Sequence, residues 1–227
     1  MTMLAPRKKL WSTPAAVADA AVSLLAVTPD DVIADFGCGD GVALIAAAQR
    51  VRCRAVGWEI DAPRAAQASA HIAELGLSDH VTIHAGNALE ARPCGVTVVF
   101  LYLIERGLRM LLPLLARIAS DLPGPLRILT VLYRLPAPLV PTEVHHVQLG
   151  PLVRFPLYLY RLSPAELEAA VTPAALPSET QRGLVDGAAA AGAASSGVTA
   201  GADVSPEEAG APEDASGQVA AVHSGKG

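Results

Sequence analysis

Between Val32 and Gly41 the chain reads Val-Ile-Ala-Asp-Phe-Gly-Cys-Gly-Asp-Gly, followed by the Ala-rich run Val42 to Ala48. The apolar, β-branched start predicts a buried strand, the glycines a tight loop, and the Ala-rich run a helix. Gly37, Gly39 and Gly41 let the backbone turn sharply and approach a ligand with no Cβ in the way. Their spacing separates one ligand class from another. In the dinucleotide fingerprint G-x-G-x-x-G the third glycine adjoins the helix; here it comes one residue early and Val42 takes its place.

A second strand is expected over Arg54 to Asp61, ending in acids. In nucleotide-binding α/β folds a carboxylate at this point accepts hydrogen bonds from ribose hydroxyls, because an ionised carboxylate offers only acceptors. Glu59 is the candidate; its alternative is a solvated strand-end carboxylate. Asp61 would point the same way in an extended strand, but is read as turning or capping the next helix. With Asp35 just before the first glycine, Asp-Phe-Gly-Cys-Gly-Asp-Gly at 35–41 resembles the cofactor loop of class I S-adenosylmethionine (SAM) methyltransferases. That resemblance implies SAM as cofactor, held by Asp35, Gly37, Cys38, Gly39, Asp40, Gly41 and Glu59.

Charge and composition narrow the partners. All nine aromatic residues lie between Trp11 and Tyr160, and from Thr172 onward the chain is mostly Ala, Gly, Ser, Pro and Glu. Residues 1–171 hold fifteen acids and fifteen Lys+Arg, so the formal charge of −5 belongs to the tail. A neutral domain argues against a broad nucleic-acid surface, which should be basic. The expected organisation is a flexible N-terminus over 1–9, one domain over 10–165, and a low-complexity disordered tail over 172–227, which cannot bury enough surface to offset its ordering entropy. Cys38, Cys53 and Cys94 have no metal-like spacing and are read as reduced thiols. No metal is expected, and no apolar run reaches the roughly 18–20 residues that span a bilayer. Arg7, Lys8 and Lys9 precede no secretory-type apolar stretch. The expected compartment is the cytoplasm, with a mitochondrial presequence as the alternative.

Along the chain, Thr13 and Pro14 precede a helix through Val17, Ala21, Leu24 and Leu25. Thr13 is read as its N-cap, with Pro14 at the first helical position; alternatively Ser12 or Thr13 reaches the cofactor. Ala62 to Leu75 is a helix closed by Gly76. Val81 to His84 is a third strand ending at Gly86-Asn87, and no carboxylate or cysteine stands at ligand spacing from His80 or His84. Gly95 to Leu103 is a near-continuous apolar run, expected as a central parallel strand whose carboxyl end opens beside the glycine loop. There Tyr102 is either a wall or hydrogen-bonding group for an incoming nucleophile or a core residue. Glu105 either accepts from an ammonium or simply opens the next helix. Pro113 is expected to split that helix. A fifth strand follows at Pro125 to Leu132, and a hairpin at Glu143 to Gln148 and Val153 to Tyr160, with Pro156 marking a bulge or sheet edge.

This order is that of the seven-stranded, Rossmann-like class I methyltransferase fold, with helices on both faces of the sheet. A narrower resemblance rests on Ser-Thr-Pro at 12–14, the glycine loop, Gly-Trp-Glu-Ile-Asp at 57–61, Phe-Leu-Tyr-Leu at 100–103 and the stretch around Pro113. Together these look like the FAM173-type protein-lysine methyltransferases, a group distantly similar to Dot1. Val42 stands where that group usually has Arg, and Asn87 where it usually has the Asp that contacts the adenine amino group; the Asn oxygen can still accept. The resemblance implies a protein substrate whose lysine amine takes the methyl group. Small-molecule or nucleic-acid methylation, or SAM binding without turnover, are the alternatives.

Overall fold

The computed structural model describes residues 12–171; the expectations for 1–9 and 172–227 lie outside them. Seven strands, β1 (Val32–Phe36), β2 (Arg54–Glu59), β3 (Val81–Ala85), β4 (Val98–Leu101), β5 (Leu126–Val131), β6 (Glu143–Leu149) and β7 (Val153–Leu162), form one sheet in the order β3-β2-β1-β4-β5-β7-β6. The first five are parallel, and β7 runs antiparallel between β5 and β6. Strand order reverses between β1 and β4, so the ligand crevice of such a sheet lies at their carboxyl ends. This is the expected class I arrangement.

Helices α1 (Ala15–Leu24), α2 (Val42–Val51) and α3 (Ala62–Glu74) cover one face, and α4 (Glu105–Ser120) and α5 (Pro164–Val171) the other. Every residue of β1 is buried, which is why it reads as an apolar strand interrupted only by Asp35. Val32, Ala34 and Phe36 pack toward α4, while Ile33 packs toward α1 and α2. By strand alternation Asp35 shares the side of Ile33.

Asp31 anchors the amino edge of the sheet. Its carboxylate accepts from the Arg127 guanidinium, from the Thr97 hydroxyl at 2.7 Å, and from the Thr28 backbone N–H and hydroxyl at 2.7 and 2.9 Å. Arg127 also donates to the carbonyls of Leu25 and Ala26 at 2.8 and 2.9 Å. Burial alone would raise the Asp31 pKa, but the hydrogen bonds from Arg127, Thr97 and Thr28 more than offset it and hold the group below its usual range.

Several expectations about elements need correction. The central strand is shorter than 95–103: Gly95 turns at φ +68° and the paired stretch is Val98–Leu101. Thr13 does not cap α1: Pro14 holds the N-cap position, without a side-chain cap bond. Nor does Pro113 divide α4, which runs unbroken from Glu105 to Ser120. An internal proline costs roughly 3 kcal/mol. Leu108, Leu111, Leu112, Leu114 and Leu115, on both sides of it, are buried, at about 1.5–3 kcal/mol each, and Pro113 itself faces solvent.

Pro156 marks neither a bulge nor an edge strand. The β6–β7 register runs through it without interruption, opposite His146. On the other side the ladder with β5 begins only at Leu157, and the Pro156 carbonyl accepts from Leu132 N–H. Its missing N–H therefore falls just past the end of that ladder. Helix α5 lies outside the sequence reading, although Ser163-Pro164-Ala165-Glu166 carries its signal. The Ser163 N–H and hydroxyl both donate to the Glu166 carboxylate, at 2.8 and 2.6 Å, closing a capping box. Two smaller expectations hold: Asp61 caps α3 by accepting from Arg64 N–H at 2.9 Å, and Gly76, at φ +66°, follows its last turn.

Candidate cofactor and acceptor site

The glycine loop is stitched to the end of β2. The N–H groups of Gly37 and Cys38 both donate to the Trp58 carbonyl, at 2.8 and 3.0 Å. Gly39 N–H donates to Glu59 Oε2 at 2.8 Å, and Asp61 N–H to Glu59 Oε1 at 2.9 Å. Glu59 is 5% exposed, so the solvated-carboxylate reading fails. The carboxylate braces the loop against the start of α3, and each oxygen keeps acceptor capacity.

Gly39 has φ +53°, and a Cβ there would lie 2.7 Å from the Arg64 guanidinium. Arg64 in turn grips Asp40 through two bonds, Nε to Oδ1 at 2.7 Å and Nη2 to Oδ2 at 3.1 Å. This ion pair, and to a lesser extent a Ser12 hydrogen bond, holds the Asp40 pKa down against burial. Arg64 went unnoticed in the sequence because only tertiary packing brings it onto the loop. Of the two hydroxyls upstream of α1, Ser12 is the one that reaches Asp40; Thr13 is half-buried beside it.

Beneath the loop, Cys38 is buried against Gly57, where a Cβ would come within 2.6 Å of its sulfur and 2.8 Å of Leu44. A glycine inside a strand pattern is the signal for such a close approach. Burial pushes the Cys38 thiol up, and Asp35 and Glu59 push it further, so it stays protonated and inert.

Asp35 is 4% exposed, and no described residue hydrogen-bonds its carboxyl. Burial raises its pKa to about 8, with the Glu59 charge adding to the effect. A carboxyl so desolvated favours a cation beside it. At the end of β3, Asn87 opens a short 3-10 turn over Ala88–Glu90; its Oδ1 accepts from Leu89 N–H at 3.1 Å and its Nδ2 donates to Glu90 at 3.2 Å. Gly41, in the left-handed region, is the N-cap of α2, with no side-chain cap bond. Its first-turn N–H groups thus adjoin the same loop.

Across the crevice, Tyr102 follows the last residue of β4. It is half-buried and meets the Phe155 ring edge-on at 6.4 Å. Burial raises its pKa, and Tyr133 contributes to the rise. Leu103 closes onto the glycine loop, its Cδ2 3.1 Å from where a Gly37 Cβ would stand. Glu105 is exposed as the first residue of α4. Among the described residues no group of three or more His, Cys, Asp or Glu could hold a metal, and no helix is long and apolar enough to cross a membrane.

No family model matches the chain. Over 106 residues, 46% of its length, it is 35% identical to a protein-lysine N-methyltransferase of Saccharolobus islandicus (strain REY15A), of which it covers 66%. It is 36% identical over 64 residues to a geranyl diphosphate 2-C-methyltransferase of Streptomyces lasalocidi, covering 28% of this chain and 21% of that one. The chain thus spans less than two thirds of the length of these curated relatives. Among solved structures, an RNA methyltransferase from Salinibacter ruber in complex with S-adenosylhomocysteine matches with a TM-score of 0.59 and 29% identity, over 67% of this chain and 94% of that one. With the strand order and the braced glycine loop, these likenesses show the class I SAM-dependent methyltransferase fold and support SAM as the cofactor.

Proposed function

We propose that the chain transfers the sulfonium methyl of SAM to the side-chain amine of a protein lysine. The observation that carries this reading is the 35% identity to a protein-lysine N-methyltransferase. The amine lone pair attacks the methyl carbon in line, the carbon–sulfur bond breaks, S-adenosylhomocysteine leaves, and the new ammonium sheds a proton to solvent. Little covalent work falls to the protein, so positioning and electrostatics dominate. Gly37, Cys38, Gly39, Asp40 and Gly41 shape the cofactor bed, and Asp35 faces its positive charge. Glu59 accepts from the ribose hydroxyls and Asn87 from the adenine amino group, with Thr13 at the margin. A lysine must first lose a proton from an ordinary pKa of about 10.4, and the dry mouth around Tyr102 and Leu103 eases that loss. Glu105, exposed nearby, attracts the ammonium before it enters. The unpaired thiols Cys38, Cys53 and Cys94 suit a reducing compartment, and we assign the cytoplasm.

A second reading, an RNA substrate, is favoured by the Salinibacter ruber structure, which the chain covers almost completely. Against it stands the balance of fifteen acids and fifteen Lys+Arg over residues 1–171, since phosphate contacts need clustered cations. Incubation with methyl-labelled SAM and a cell lysate separates the two. Label that resists nuclease, disappears with protease and is recovered as methyl-lysine supports the first reading; nuclease-sensitive label refutes it. The chain's own lysines are Lys8, Lys9 and Lys226, so self-labelling is recognised by its position.

A further inference from the structure

The end of β5 departs from ordinary backbone geometry. Leu132 has φ +66°, a region that residues bearing a Cβ rarely adopt. Tyr133 N–H donates to the Val131 carbonyl at 2.9 Å, an i to i+2 bond that closes a γ-turn of the strained, positive-φ hand. Two further bonds pin it: Leu132 N–H to the Pro156 carbonyl at 2.9 Å, and the hydroxyl of the fully buried Thr130 to the Tyr133 carbonyl at 2.6 Å. Strain persists only where surrounding structure over-determines it, and it collects where a side chain must be aimed.

What the turn aims is Tyr133. The adjoining strands β4 and β5 are parallel and pair Leu101 with Thr130, so Tyr102, and Tyr133 just beyond Val131, leave the sheet at the same end. Tyr133 sits close enough to Tyr102 to oppose its ionisation, while Phe155 meets Tyr102 edge-on. Three aromatic side chains, from the ends of β4 and β5 and the start of β7, thus gather at the crevice. Tyr133 is 38% exposed, and no described residue hydrogen-bonds its hydroxyl. A ring so placed contributes little to the core, and stability alone does not explain the strain that holds it.

We propose that Tyr133 is a positioning residue for the methyl acceptor: with Tyr102 and Phe155 it forms an aromatic wall along which the alkyl stem of the acceptor amine lies, setting the angle at which nitrogen meets the sulfonium methyl. The inference rests on the lysine reading above. Aromatic faces suit both states of that acceptor. They attract an ammonium as it arrives, and they exclude the water that would keep it protonated.

The test uses the full chain with methyl-labelled SAM and heat-denatured lysate protein as the pooled acceptor, reading mono-, di- and trimethyl-lysine by mass spectrometry. Tyr133→Ala should raise the apparent KM for the pool about tenfold and deplete the higher methylation states, whereas Tyr133→Phe, which keeps the ring, should stay within about twofold of wild type. Leu132→Gly, which relaxes the turn but keeps the tyrosine, should fall between them. S-adenosylhomocysteine affinity, measured by calorimetry, should be the same in all four proteins. If the wild type labels no lysine, the proposed function falls and this inference with it. If the wild type labels lysine and Tyr133→Ala matches it in KM and methylation states, only the assignment of Tyr133 falls. Cofactor affinity that weakens as KM rises would also overturn it, by marking Tyr133 as part of the fold.

Discussion

Asp35 is a carboxyl in a place that disfavours its own charge. Its pKa stands near 3.8 in the unfolded chain and is raised to about 8 by burial, with Glu59 adding to the rise. Between those values the folded chain holds a proton that the unfolded chain has released, so stability falls as pH rises across that window. Asp35→Asn removes the titration while keeping the shape. Its melting temperature relative to wild type should therefore climb between pH 5 and pH 8; parallel curves would contradict the assignment. In the proposed site SAM supplies the missing cation, so its affinity for the wild type should increase over the upper part of the same range and stay flat for Asp35→Asn. The sequence placed Asp35 and Glu59 on the loop's rim but could not give Glu59 its second task. Its bonds to Gly39 and Asp61 N–H make it a brace for the loop, beside the ribose role proposed for it. Arg64 was invisible for the opposite reason. In sequence it is one arginine on a helical stretch, and only the packing of α3 beside the loop lays it against Gly39.

At the scale of elements, the strands were legible because a parallel sheet covered on both faces reads as apolar runs. The misreadings are all local rules overridden by tertiary contacts. Pro113 breaks a helix in isolation but not one whose leucines are buried on both sides of it. Pro156 signals an edge strand, but β7 is internal and the missing N–H falls just past the end of its ladder with β5. Thr97 stands just before the paired stretch of β4, its N–H donating to the Val32 carbonyl while its hydroxyl donates to Asp31. The Asp31–Arg127 pair lies at the edge opposite the crevice, with side chains only 8% and 18% exposed. Arg127→Met should leave the Asp31 carboxylate buried without its cation, at a loss of about 3 kcal/mol, the low end for a broken buried pair. Chemical denaturation checks this, and cofactor affinity should not change. A loss below about 0.5 kcal/mol would mean the pair behaves as a solvated one. Because the Asp31 pKa is depressed in the fold, its contribution is present above the ordinary carboxylate pKa and is lost as pH falls below it.

At the scale of the whole domain, the proposed chemistry gathers at the carboxyl ends of the strands, and the Asp31–Arg127 cluster ties the amino ends together. Strand order places the reversal between β1 and β4, and the carboxyl end collects the glycine loop, Glu59, Tyr102 and the strained turn before Tyr133. That convergence could be anticipated from the glycine spacing and the acid at the end of β2. The proposed acceptor wall could not, because the turn at Leu132 is held by the Pro156 carbonyl of β7, which meets the end of β5 only after folding. The most direct test is calorimetric titration of the wild type and Glu59→Ala with S-adenosylhomocysteine, beside NAD. The wild type should bind S-adenosylhomocysteine and not NAD, and Glu59→Ala should weaken that binding by roughly 1–3 kcal/mol, the range for buried hydrogen bonds to a charged group. Binding of NAD alone, or an affinity indifferent to Glu59, would contradict it.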